Sequence, residues 1–264
     1  MTADSSHRLE LIPVGRSEIP GPELFWMREW DSWFELCFQV ALIRGGGRVV
    51  LVNTGPAEDL GPMNAQWSSF LGERAAMRRD PSDFIIDALA ARGVEPADVT
   101  DVVLTPLQLY TVSNVPRFER ATIHVAKRGW VHFHTTHAHP HDDRDSCLPP
   151  DVLAHLVGPA WPRVHLLEDE DEIAPGIRTW WAGVHHRASL VVEVDTPHGV
   201  AAISDAYFHL ENVEQRHPIG INESMAEALA CYERVAREGQ IVLPLYDPKN
   251  LDRFPGGVVS AGGE

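Results

Sequence analysis

Five of the chain's fourteen histidines fall within ten positions, His132-Phe-His-Thr-Thr-His-Ala-His-Pro-His141. Neutral imidazole is a common metal ligand, so the density of side chains here suits metal chemistry. The spacing is i, i+2, not the i, i+4 of two histidines on one helical face, and it would serve a metal only in an extended segment. Pro140, Asp142, Asp143, Asp145, Pro149 and Pro150 surround or follow it and predict a loop. A solvated surface loop therefore competes with the metal reading and is the simpler of the two. The three cysteines, Cys37, Cys147 and Cys231, are far apart with no CxxC pair. They read as reduced thiols of a cytoplasmic protein.

Other candidates depend on how the chain is arranged around them. Val102 to Thr105 reads as a buried strand running into a polar loop, Pro106-Leu-Gln-Leu-Tyr-Thr-Val-Ser-Asn114. Before it, Leu36 to Ile43, a Gly45-Gly-Gly47 turn and Arg48 to Val52 predict a β-hairpin closed by Asn53-Thr-Gly-Pro56. Leu9 to Val14 predicts a first strand. Asp80 is placed to cap a helix with Pro81 at its first position and Gly93 past its end. Further strands are expected at Thr122 to Ala126, Arg163 to Glu168, Ile177 to Trp181, Leu190 to Val194, Val200 to Ser204 and Ile241 to Leu245. A helix from an Asn222 cap to Glu238 would bury Met225, Leu229, Tyr232 and Ala236. Strands first, then strand–helix alternation, twice over, is the pattern of two sheets packed together with helices outside. Phe25-Trp-Met-Arg-Glu-Trp-Asp-Ser-Trp-Phe34 is dense in aromatics. It reads as packing over the core edge, as a pocket wall carrying Trp26 and Trp30, or as a homodimer surface.

The 264 residues are expected to form one domain, with residues 1–8 and 256–264 as loose tails. Apolar residues at 44% suffice for a large core, and a net charge of −16 argues against nucleic acid and anionic membranes as partners. No apolar run is long enough to span a bilayer, and residues 1–8 lack the apolar core of a signal peptide.

Five segments, in order, resemble the metallo-β-lactamase superfamily, and in particular its lactonase-like branch. They are the Asn53-Thr-Gly corner, the strand into residues 105–114, Ala182-Gly-Val-His-His-Arg-Ala-Ser189, Ile203-Ser-Asp-Ala-Tyr207 followed by Glu211-Asn-Val-Glu214, and Pro244-Leu-Tyr-Asp-Pro248. The resemblance covers roughly residues 36–250 and implies an α/β fold of αββα sandwich type: two mixed sheets face to face, helices on the outer faces. It also maps the family's ligand positions. The Thr-His-x-His-x-Asp-His loop falls on Pro106, Gln108, Tyr110 and Thr111. The Gly-His ligand falls on His185, with His186 as its rival, the bridging carboxylate on Asp205, and the last His on Tyr246. The family's Asp that supports the metal ligands falls on Asn53, and the branch's functional Tyr on Phe208, with Tyr207 one residue early.

Two strong ligands of seven remain, too few for a dinuclear zinc centre. No cofactor is expected, and a single divalent metal rebuilt on His185, Asp205 and another imidazole is disfavoured. The resemblance implies a polar pocket at one mouth between the sheets. Asp205 would orient His185 as a base, Tyr110 and Tyr246 would donate to an oxyanion, and Gln108, Thr111, His186, Tyr207, Phe208, Trp26 and Trp30 would contact a small-molecule substrate. Hydrolysis of an ester or lactone, proton-transfer chemistry, and non-catalytic binding remain as readings.

Overall fold

A computed structural model describes residues 6–135, 143–238 and 240–261. Twelve described strands form two mixed sheets: β1 (Arg8–Pro20), β2 (Trp33–Gly45), β3 (Arg48–Val52), β4 (Asp101–Leu104), β5 (Thr122–Ala126), β6 (Val164–Leu167), β7 (Glu170–Ala174), β8 (Ile177–Trp181), β9 (Leu190–Thr196), β10 (Gly199–Ser204), β11 (Ile241–Pro244) and β12 (Val258–Ser260). The first sheet runs β12-β1-β2-β3-β4-β5-β6 and the second β11-β10-β9-β8-β7. Pairing is antiparallel from β12 through β3 and parallel from β3 to β6; in the second sheet only β10 and β11 are parallel. This is the two-sheet α/β architecture that the resemblance implies.

Continuous apolar runs explain the central strands. β3 and β4 bury Val50, Leu51, Val52, Val102, Val103 and Leu104 completely, as strands covered on both faces must. The parallel strands β3, β4 and β5 need crossovers, and short helical segments supply them at Gly61–Leu71, Ile85–Ala90 and Leu109–Val112.

Several expectations need correction. The first strand begins at Arg8 and runs to Pro20, because β2 pairs with it over its whole length, with one irregularity at residues 13–15. The Gly-rich end is not loose up to residue 260: β12 pairs with β1, and the Ser260 hydroxyl accepts from Leu9 N–H at 3.1 Å while donating to the His7 carbonyl at 2.8 Å. Asp80 caps nothing with its side chain; Pro81–Asp83 is a 3₁₀ turn, and the helix is Ile85–Ala90. Ser224, not Asn222, caps the helix Met225–Arg237. Asn222 turns back to the Ile219 carbonyl at 2.5 Å. Of the expected face, Tyr232 is buried, Met225 is half-buried and Leu229 and Ala236 are exposed; Ala228, Cys231 and Val235 complete the buried side. His132 and His134 sit in the helix Lys127–Thr135 rather than in a loop. His137, His139 and His141 lie outside the described residues, as do residues 1–5, Gly239 and residues 262–264.

Candidate functional site

Chain segments that follow β3, β4, β10 and β11 converge with the β8–β9 connection at one end of the sandwich. They carry Asn53, residues 105–111, Asp205, Tyr246 and His185. At its centre is Asp205, fully buried, with both carboxylate oxygens engaged. Thr105 Oγ1 donates to Oδ1 and Ser189 Oγ donates to Oδ2. Thr105 Oγ1 also accepts from Leu190 N–H at 2.8 Å, and Ser189 Oγ from His186 N–H at 3.1 Å. The carboxylate therefore ties the loop after β4 to the start of β9. Burial raises its pKa to about 6, against the lowering pull of the Ser189 and Thr105 hydroxyls.

His185 is oriented by a different group from the one expected. Its Nδ1 lies 3.0 Å from the Ile221 carbonyl, and its Nε2 lies 3.3 Å from Tyr110 Oη. A carbonyl only accepts, so Nδ1 carries the proton and Nε2 is the basic nitrogen, facing a phenol. The expected Asp205–His185 pairing is thereby replaced by Ile221 on one side and Tyr110 on the other. The residue before His185, Val184, is β-branched and adopts φ +67°, a left-handed conformation that costs about 1–3 kcal/mol and persists only where its surroundings hold it.

Aromatic rings fill the place where the family's loop and last ligand would meet. Phe38 stands 5.2 Å from Tyr110 and 4.9 Å from Tyr246 by ring centroids, and Phe208 stands 5.0 Å from Tyr246 and 4.9 Å from His185. Trp67 closes the outer side, 5.7 Å from Tyr110. Tyr246 is buried, and among the described residues its Oη has no hydrogen-bond partner of good geometry. Burial raises its pKa well above the usual phenol value, and the nearby Tyr110 pushes the same way.

The remaining expected residues divide. His186 and Phe208 border His185, with the His185 and His186 ring centroids 4.0 Å apart. Gln108 and Thr111 are buried and build the loop rather than face a ligand. Gln108 opens the helix Leu109–Val112, and the Thr111 hydroxyl lies 2.7 Å from both the Pro106 and Gln108 carbonyls. Tyr207 belongs to the core: it is fully buried, its hydroxyl donates to the Ala202 carbonyl at 3.0 Å, and its ring packs on Tyr232. Trp26 and Trp30 are exposed; the Trp26 backbone bonds to the Pro218 carbonyl at 2.9 Å and lies 2.9 Å from His217 Nε2, while no described contact brings Trp30 to the site. Sequence reasoning missed Thr105, Ser189, Ile221, Phe38 and Trp67. Only the two hydroxyls left a local signal, each adjoining a motif already singled out.

No group of three or more His, Cys, Asp or Glu side chains among the described residues is placed to hold a metal ion. Likewise, no described helix is long and apolar enough to cross a membrane.

No family model matches the chain, and no curated protein matches it by sequence. Solved structures do share its fold. A Bacillus thuringiensis AiiA variant with N-decanoyl-L-homoserine at its active site aligns with a TM-score of 0.78 at 19% identity, over 94% of this chain and 97% of that one. AidC, a dizinc quorum-quenching lactonase, aligns with a TM-score of 0.65 at 14% identity, over 97% and 92%. A probable metal-dependent hydrolase from Staphylococcus aureus gives 0.72 at 14% identity, over 92% and 90%. At these identities the likeness establishes the fold, and it bears out the resemblance to lactonase-like structures at that level.

Proposed function

We propose that this protein is a metal-independent, hydrolase-like enzyme acting on a small organic molecule, of ester or lactone type, through Tyr110 and His185. The observation that carries this reading is the chain Ile221 carbonyl to His185 to Tyr110. A fixed acceptor sets the imidazole tautomer and aims a basic nitrogen at a hydroxyl, the arrangement that general-base chemistry requires. In hydrolysis, Nε2 takes a proton from water as the water oxygen attacks the carbonyl carbon, and returns it to the departing alkoxide. As water takes its place beside Nε2, the Tyr110 hydroxyl turns to donate to the carbonyl oxygen as it becomes an oxyanion. Asp205 stands behind this pair as the carboxylate that fixes the two loops.

The donor set does not fit the family's dinuclear zinc centre. Pro106 has no ligating side chain, and Thr111 is committed to its own loop. Tyr246 would bind only as a phenolate, which burial opposes. Both oxygens of Asp205 already accept hydroxyls. The substrate class is supported by the lactonases that share the fold. The acidic balance opposes nucleic acid as a partner. Three cysteines that form no disulfide with one another accord with a cytoplasmic protein.

A second reading, a non-catalytic small-molecule binder, is favoured by one observation: Phe38, Tyr110, Tyr246 and Phe208 pack into mutual contact and narrow the site. The deciding experiment measures metal content and turnover of lactone and ester panels on untagged protein, with His185→Ala alongside. Metal-free turnover abolished by the substitution supports the enzyme. Ligand binding without any turnover supports the binder. A stoichiometric, tightly held zinc, iron or manganese overturns both.

A further inference from the structure

The strained residue Val184 lies between two segments whose contacts account for it. Its carbonyl accepts the Glu223 N–H at 2.7 Å, and its own N–H lies 3.4 Å from Glu227 Oε2. Arg187 holds that same carboxylate with two N–H groups, at 3.1 and 2.6 Å, and also pairs with Glu223. Glu227 occupies the first turn of the helix Met225–Arg237, where Ser224 Oγ accepts its N–H at 3.3 Å. At Gly183, φ is +63° and a Cβ would fall 2.5 Å from Glu227 Oε2, so the carboxylate sits directly on the turn that leads into His185.

We propose that Glu227 is a positioning residue for His185: braced by Arg187, its carboxylate holds the left-handed turn at residues 183–184 and thereby sets where His185 Nε2 points. This rests on the reading of His185 and Tyr110 as the reacting pair, and it concerns geometry present before any substrate binds. The turn is gripped on three sides. Ile221 takes the ring of His185, Glu223 takes the carbonyl of Val184, and Glu227 takes its N–H. Without Glu227 the β-branched Val184 loses the contact on its N–H and relaxes toward negative φ, which rotates the following side chain away from Tyr110. Burial raises the Glu227 carboxyl, but Arg187 and the Val184 N–H outweigh it and leave the group below its ordinary value, ionised at neutral pH.

The test is the ¹⁵N NMR spectrum of the histidine rings in substrate-free protein, so it is independent of whether turnover is ever found. In wild-type protein His185 is expected as one tautomer, protonated at Nδ1. Glu227→Ala is expected to give mixed tautomers at His185 while the remote His124 and His165 signals stay in place. Glu227→Gln, which keeps an acceptor oxygen for Val184, is expected to restore most of the wild-type pattern. Unmoved His185 signals in Glu227→Ala overturn the proposal, as does an equal disturbance at His124 and His165. Should Glu227→Ala fail to fold, Arg187→Gln removes the brace instead: a shift confined to His185 supports the proposal and its absence overturns it.

Discussion

Asn53 grips the backbone of Thr105 on both sides. Its Oδ1 accepts the Thr105 N–H at 2.8 Å and its Nδ2 donates to the Thr105 carbonyl at 2.7 Å. An amide does both, whereas an ionised carboxylate accepts and does not donate. The residue that departs from the family's acidic corner is thus employed in holding the loop that carries Tyr110. Asn53→Asp is expected to lose about 2 kcal/mol, the cost of leaving a buried carbonyl without its donor. At this chain length that lowers the thermal midpoint by about 5 °C. A rise in midpoint on adding zinc to the variant would contradict this account.

Asp205 makes stability depend on pH in an unusual direction. Its folded pKa of about 6 lies above the ordinary 3.8, so the folded state binds a proton more readily than the unfolded state. The contribution is therefore complete below about pH 4 and is lost as pH rises through 6, amounting to about 3 kcal/mol. Thermal midpoints of wild type and Asp205→Asn compared from pH 4 to pH 7 report it. Relative to wild type, the substituted protein should gain stability steadily across that interval, and parallel curves would count against the assignment.

The two site tyrosines should respond oppositely. Tyr110→Phe removes the hydroxyl facing His185, with expected loss of roughly 100-fold or more in turnover and under 1 kcal/mol in stability. Tyr246→Phe removes a buried hydroxyl that has no well-formed hydrogen bond among the described residues, and is expected to be neutral or to stabilise by about 1 kcal/mol. Denaturant titration of both variants beside steady-state kinetics separates them.

Chelator provides a fourth check. On the proposed metal-independent reading, the packed rings of Phe38, Tyr110, Tyr246 and Phe208 hold the site without a cation. The thermal midpoint should therefore move by less than about 1 °C between excess chelator and added zinc, whereas a ligand bound only by the native state would raise it. A zinc-dependent rise would return the site to the metal-dependent class.

Much of the frame was legible because it is local. Arg48–Val52, Thr122–Ala126 and Ile177–Trp181 are apolar or β-branched runs between turn residues, and they form β3, β5 and β8 with the expected bounds. What was missed is non-local or masked by composition. Glu170–Ala174 is an edge strand with three acidic residues, and Val258–Ser260 becomes a strand only because Arg8–Pro20 offers it a partner. The site followed the same rule. Motif order brought His185, Tyr110, Asp205 and Tyr246 to one place. Which groups satisfy Asp205 depends on a hydroxyl 100 positions away at Thr105 and another at Ser189, and no spacing encodes that choice.

The pairing of β12 with β1 has a consequence for biosynthesis. Leu9 and its partner Ser260 lie 251 positions apart. At about 5–20 residues per second, the ribosome delivers the second some ten to fifty seconds after the first. For that interval β1 has a bare edge of amides and carbonyls, open to any other nascent strand. The first-made part of the sheet is the last to be closed, which marks this edge as the place most exposed to wrong pairing during synthesis.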